Sequence, residues 1–428
     1  MLKNNIEIIN NDNLNESIYK KVLENGLEVY ICVKKGFTKK IGMFGTKYGS
    51  INNDFVDSST GERINVPDGV AHFLEHKLFE QEGANALDLF SKEGISSNAY
   101  TSFDQTVYYF ETIDKFKIGL EMLIKLVKTP YFTEENVQKE QGIIGQEISM
   151  YDDDPNFNVY FNALRAMYIK HPIRIDIAGT IDSISKIDKE ILYKCYNTFY
   201  NSNNMFIVIV GDVDVENTID IINENIKLYE NVNNKDKVIK FGVDEPKNIL
   251  QKRIEKDMGL YMPQVSIGYK LEPAQKNDRI KTEIIADIVS DMYFSKSSNF
   301  FESEYNKGAV NDTIDFSYEG NKDFAHIIIS TTSINVNEIE NDIFEYIEKI
   351  KTEEIDTELF ENTKRRKIGE NIVVSENLNS SYRRIIDSIL NENTLYYDIE
   401  VLSNIRIDDI KDFLKTLELS KSVISIVK

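Results

Sequence analysis

Pro67-Asp68-Gly69-Val70-Ala71-His72-Phe73-Leu74-Glu75-His76-Lys77-Leu78-Phe79 is the stretch that decides how this 428-residue chain is read. Pro-Asp-Gly marks a turn, with Asp68 expected to cap a helix through His76. On that helix His72 and His76 lie at i and i+4, so both imidazoles share one face and can address one metal ion. Glu75 lies beside that face, placed to act on a water at the metal instead of binding the metal itself. The chain has only 4 histidines, and this pair uses half of them.

His-x-x-Glu-His is the inverted form of the zinc-peptidase signature. A catalytic zinc needs three protein ligands and one open position. The third should come from another element, and a long helix expected over Thr133–Tyr151 offers two carboxylates. Glu140 and Glu147 stand two turns apart on one face, which suits one ligand and one carboxylate that orients an imidazole. Spacing alone leaves open an ordinary solvated acidic stripe. The other histidines, His171 before Pro172 and His326 in the apolar run Phe324–Ser330, lack ligand-spaced partners and are expected to be structural.

Working outward, strands are expected at Leu27–Val33 and Ile41–Gly45. Helices are expected over Ala84–Lys92 and Phe116–Val127. Ser96–Thr101 and Thr106–Phe110, joined through Ser102-Phe103-Asp104-Gln105, read as a hairpin. Each half of the chain ends in a strongly β segment, Phe206–Asp214 and Ser422–Val427. The Thr133–Gly145 pattern recurs at Thr357–Gly369, where Lys364 replaces Glu140 and Asn371 replaces Glu147. These repeats predict an α+β fold of two related domains, each a mainly antiparallel sheet packed with helices. The expected domains are 1–229, carrying the metal chemistry, and 249–428, without it. The polar stretch 230–248 is the expected linker.

Composition narrows the function classes. With 41% hydrophobic and 28% charged residues the profile is globular. The net charge of -21 argues against a nucleic-acid partner. No apolar run approaches a membrane span, the longest strand-like one being Phe206–Val210, so no membrane partner is expected. The polar start of the chain lacks signal-peptide layout. Cys32 and Cys195 are far apart and read as small buried hydrophobes, in keeping with a reducing, cytoplasmic setting.

Beyond the histidine motif, Ser97–Phe103, Pro130–Asn136 and Lys139–Tyr151 together resemble the pitrilysin/insulinase-type metallopeptidases, which include the mitochondrial processing peptidase. The likeness runs from Asn25 to the terminal strand and is nearest the short bacterial cytosolic branch. It implies that His72, His76 and Glu147 bind Zn2+, that Glu75 is the general base acting on a zinc-bound water, and that Glu140 supports the site from the same helix. It also implies that Asn98 and Ala99 lie on a sheet edge where a peptide docks as an added strand, a mode that asks little of the peptide's sequence.

One departure stands out. Tyr305 and Asn311 occupy the places where shorter members of the family carry an Arg and a Tyr that reach the substrate. The resemblance therefore implies a zinc endopeptidase acting on peptides or unstructured segments, leader or precursor peptides among them. Each subunit would form half of a clamshell dimer, with a second family subunit lacking the zinc motif as the expected partner and a homodimer as the alternative. Two other readings stay open: a peptide-binding or assembly subunit with little activity, and a structural zinc, which would need a fourth ligand.

Overall fold

A computed structural model of the chain describes residues 6–11, 14, 16–229 and 237–428. The fold is mixed α and β with two main sheets, each over its own hydrophobic core. The chain divides into two compact units. Unit 1 comprises Met1–Ile148, Ile175–Gly242 and Val374–Leu390; unit 2 comprises Ser149–Arg174, Val243–Val373 and Asn391–Lys428.

Unit 1 holds a seven-stranded sheet in the order Glu7–Asn11, Glu16–Val22, Glu28–Val33, Met205–Gly211, Lys40–Thr46, Thr106–Thr112, Ser96–Thr101. All neighbours are antiparallel except Met205–Gly211 beside Glu28–Val33. Unit 2 holds five strands in the order Arg253–Lys256, Ser422–Val427, Gln264–Leu271, Ala325–Thr332, Asp315–Gly320. There the first and last strands in sequence are parallel and the remaining pairs antiparallel. The last five strands of the unit 1 sheet thus follow the same path as the five of unit 2. Two interior strands, Met205–Gly211 and Ser422–Val427, are buried along their whole length, in keeping with their largely apolar sequences.

The helices add a feature that the linear pattern did not reveal. Pro155–Met167 follows the long helix Glu134–Asp152 in sequence but belongs to unit 2, where it packs on Ser422–Val427 and Gln264–Leu271. Leu378–Leu390 follows Thr357–Val374 but belongs to unit 1, on Met205–Gly211 and Glu28–Val33. Each sheet is thereby covered on a face by a helix from the other half of the sequence. The units are accordingly not the contiguous spans 1–229 and 249–428: Ser149–Arg174 and Val374–Leu390 change sides. Of the expected linker, 230–236 lies outside the described residues; 237–248 is described, carries no helix, and contributes Lys240 as a bridge to Phe55.

Two largely covered Lys–Glu pairs hold the exchanged segments. In unit 1, Lys34 Nζ lies 2.5 Å from Glu16 Oε1 and donates to the Ser375 carbonyl, while Ser381 Oγ donates to Glu16 at 3.1 Å. In unit 2, Lys270 Nζ donates to Glu245 Oε1 at 2.6 Å and to the Met167 carbonyl at 3.3 Å. Glu245 also accepts the main-chain N–H groups of Ile169, Lys170 and His171. A buried charge needs such partners to offset its lost hydration.

Candidate metal centre

The His72 helix spans Val70–Phe79 and is held by its apolar face: Val70, Phe73, Leu74 and Leu78 are fully buried. Each such side chain contributes about 1.5–3 kcal/mol. The expected cap is different from the one found. Gly69, at φ 91°, occupies the N-cap, and no side chain caps the helix. A Cβ there would meet the Ala178 carbonyl oxygen at 2.4 Å, so both the backbone angle and the close approach require glycine. Asp68 instead accepts from Asn53 Nδ2 at 2.5 Å. The second helix, Glu134–Asp152, begins as anticipated: the Asn136 N–H donates to Thr133 Oγ1, and Glu134 and Glu135 lie in the first turn. Asp154 caps the following helix with Pro155 at its start, which explains the stop after Asp152.

These two helices bring His72, His76 and Glu147 together. One ligand atom from each lies within 4.8 Å of the others, the only such group of three or more His, Cys, Asp or Glu among the described residues. His72 Nε2 is 3.8 Å from Glu147 Oε1, and His76 Nε2 is 3.7 Å from Glu147 Oε2. Glu140 meets His76 on its other side, with Oε1 3.0 Å from Nδ1. A proton on Nδ1 would leave the Nε2 lone pair facing His72 and Glu147. All these residues lie in unit 1.

The electrostatics suit a cation. Burial, aided by His76, pushes the His72 pKa down to about 3, so its ring stays neutral with a lone pair to offer. His76 moves the opposite way. Burial disfavours its charge, but the Glu140 hydrogen bond and the charges of Glu140, Glu75 and Glu147 outweigh burial and raise its pKa. Burial also opposes the charge on Glu140, yet His76 and the Lys77 and Lys139 ammoniums hold that carboxyl below its ordinary range. Two imidazoles and a carboxylate converging on one point, with no fourth ligand in the group, form a donor set that fits zinc with an open position.

Glu75 is buried and stands beside this group without joining it. Burial lifts its carboxyl above the usual range, against the opposing hydrogen bond from Thr101. That bond, Thr101 Oγ1 to Glu75 Oε2 at 2.5 Å, ties Glu75 to the strand Ser96–Thr101. The strand pairs with Thr106–Glu111 in the expected hairpin and forms one edge of the seven-stranded sheet. Asn98 on it is exposed and Ala99 half-buried. Asn98 lines a cavity of about 600 Å³ whose wall includes Glu75, His76, Glu140, Phe79 and Ile143.

Two residues here had no role assigned from sequence. Thr101 shares its strand face with Ala99, and that period-two parity is the signal that could have turned it toward the helix. Lys77, fully buried, interrupts the apolar run around it; a charge on a buried face requires partners and could have been flagged on that ground. His171 and His326 lie in unit 2, both buried and outside the metal group. Tyr305 and Asn311 are exposed, and Asn311 Nδ2 lies 3.8 Å from Met262 Sδ. Cys32 and Cys195 are free and buried.

Comparison with known proteins identifies the family. Residues 57–181 match the family model described as insulinase (peptidase family M16), and residues 186–367 match one described as peptidase M16 inactive domain. A protein of Bacillus subtilis described as uncharacterised zinc protease YmfH is 37% identical over 412 residues, 96% of each chain. This chain belongs to the M16 peptidase family. The crystal structure of a putative M16-like peptidase from Alicyclobacillus acidocaldarius matches with TM-score 0.91 at 29% identity, covering 100% of this chain and 99% of that one. Pitrilysin shares the fold at TM-score 0.77 and 14% identity, with this M16 chain covering 47% of its length. The expected α+β class and family thus both hold. No helix among the described residues is long and apolar enough to cross a membrane.

Proposed function

We propose that this chain is a zinc endopeptidase that hydrolyses peptides or unstructured segments, with His72, His76 and Glu147 holding the metal. The observation that carries the reading is the convergence of those three ligand atoms beside a buried carboxylate that is hydrogen-bonded to a sheet-edge strand. Zinc, when bound, supplies Lewis acidity toward the scissile carbonyl and acidifies water. The chain's own groups do the rest. Glu75 takes the proton of the attacking water at its carboxylate and delivers it to the leaving amine. Glu140 keeps the His76 ring turned so that Nε2 is presented. The edge at Asn98 and Ala99 offers main-chain groups to an extended peptide. Burial of Glu75 and His72 limits their hydration, so charges developing beside them are felt more strongly than in water.

A second subunit is part of this reading. Tyr305 and Asn311 stand where an Arg and a Tyr are expected in the family. Tyr cannot make the bidentate hydrogen bonds of a guanidinium. The chain also covers less than half of pitrilysin. Both features support pairing with a second subunit; we propose a heterodimer whose other member lacks the zinc motif, with a homodimer as the alternative, in the cytoplasmic setting expected from the sequence. The test is metal analysis with cleavage of an unstructured peptide, run on the purified chain and again after co-purification of a partner. Stoichiometric zinc with hydrolysis in the paired sample is expected; zinc without hydrolysis in either sample sinks the enzyme reading in favour of a peptide-binding subunit. Full specific activity from the chain with no second polypeptide present sinks the heterodimer.

A further inference from the structure

Lys77 follows the second histidine directly, yet its side chain points away from solvent and is entirely buried. Its ammonium sits where three elements meet. It contacts the Glu80 carboxylate just past the end of its own helix. It donates at 3.1 Å to the main-chain carbonyl of Asn136, in the first turn of the Glu134–Asp152 helix. It lies 3.7 Å from Glu140 Oε2, while the other oxygen of that carboxylate meets His76 Nδ1 at 3.0 Å. A continuous line therefore runs from the Lys77 ammonium through Glu140 to the ring of His76.

Packing alone does not call for a lysine here. The neighbouring Leu78 and Phe79 are apolar, and burying an ammonium costs several kcal/mol before its partners are counted. An unbranched apolar side chain would fill the same space without that cost. What only a cation supplies is a fixed positive charge between a helix bearing two histidines and a helix bearing two carboxylates. It attracts one oxygen of Glu140 and leaves the other for His76. It also donates to the start of the second helix at Asn136, a contact that an uncharged donor can make as well.

We propose that Lys77 is a positioning residue of the metal centre: its ammonium fixes the Glu140 carboxylate, and through it the His76 ring, in the orientation that meets His72 and Glu147. This rests on the zinc reading above. The test is the zinc dissociation constant, measured by competition with a chromophoric chelator, for wild type, Lys77→Met, Glu140→Gln and the double variant, with circular dichroism as the check on folding. Lys77→Met should weaken zinc by roughly 10–100-fold, the range for losing an outer partner of a ligand. In the Glu140→Gln background the same change should matter by no more than about twofold, because the route it acts through is already gone. Wild-type affinity in Lys77→Met overturns the proposal, as does an equal loss in both backgrounds, which is what general loosening would give. If Lys77→Met does not fold, Lys77→Gln keeps a donor for Asn136 without the charge and is read in the same way. A wild-type chain that takes up no zinc overturns the zinc reading and this proposal together, whereas zinc-loaded wild type with an unaffected Lys77 variant overturns this proposal alone.

Discussion

In unit 1 the helices Val70–Phe79 and Glu134–Asp152 face each other through two histidines and a carboxylate. In unit 2 the helices at the corresponding places in the strand path, Lys276–Tyr293 and Thr357–Val374, face each other through Asp287, Asp291 and Lys367. Asp287 and Asp291 are an i, i+4 pair like His72 and His76. The Lys367 ammonium lies between them, at 2.6 and 2.7 Å, and Arg366 adds a second contact to Asp291 at 2.7 Å. Where Glu140 reaches His76, Lys364 donates to the Ile405 carbonyl at 2.8 Å; where Glu147 reaches both imidazoles, Asn371 donates back to its own helix at Lys367. In unit 2 the helix pair is arranged around a positive charge, and in unit 1 around a donor set that could hold one. In unit 2 the cation is a lysine side chain held by two carboxylates. In unit 1 the donor set suits a cation from solution, and such an ion keeps a position open for chemistry. The difference lies in side chains on a shared scaffold.

The hardest way to break this comparison is to take away the carboxylate that unit 2 lacks. Glu147→Gln should bring zinc content and peptide hydrolysis to background, while Glu140→Gln should keep the metal with roughly 10–100-fold weaker affinity. Elemental analysis after dialysis reads both. Equal zinc retention in the two variants would remove the distinction drawn between ligand and supporting carboxylate.

Next in size is Glu75→Gln. Zinc and fold should persist, because the residue stands outside the ligand group, and kcat/KM on a fluorogenic peptide should fall by about 10²–10⁴. Near-normal turnover would mean that another group takes the proton. Of this site, the histidine pair, Glu75 and the two-turn spacing of Glu140 and Glu147 were legible in the sequence, because each is a local relation on one helix. The exchange of Pro155–Met167 and Leu378–Leu390 was not. An amphipathic pattern reveals that a helix has an apolar face, and says nothing about which sheet that face will cover. The Asp68 cap failed for a related reason: Gly69 and Ala178 are distant in sequence, and their close approach fixes the helix start. Lys77 and Thr101 were visible only as anomalies of pattern, their partners lying on other elements.

The four histidines divide between the units, and that sharpens the comparison by pH. His171 and His326 are buried, with pKa values pushed down by burial to about 4 and about 3. The unfolded chain protonates them near pH 6.5, so between there and the folded values the unfolded state binds more protons. Stability therefore falls as the pH drops below 6.5, by about 1.4 kcal/mol per pH unit for each histidine. His326→Leu leaves Tyr168 its hydrogen bond to the Ala325 carbonyl. Chemical denaturation from pH 6.5 to 5.5, in chelator to keep metal linkage out, should show the loss of stability across that interval reduced by about 1 kcal/mol, because the unfolded histidine is only half protonated at its upper end. An unchanged slope would mean that His326 is already charged in the folded protein.

The smallest expected effect falls on the unit 2 tie itself. Lys367 is mostly covered, with burial opposing its charge and the two aspartates prevailing to raise its pKa, but Asp287 is more than half exposed. Solvent screens that contact, and Phe360 of the second helix is separately buried in the unit 2 core. Lys367→Met should therefore cost about 1 kcal/mol in equilibrium unfolding, the scale of a modest charged hydrogen bond set against partial exposure. Zinc affinity should not change, since every ligand lies in unit 1. A side chain that ties two helices acts on stability alone, whereas Glu147 in the corresponding pair is expected to act on metal and turnover. A Lys367→Met protein of unaltered stability but lower zinc content would mean that the two helix pairs are coupled, and that the division of labour between them is not the one drawn here.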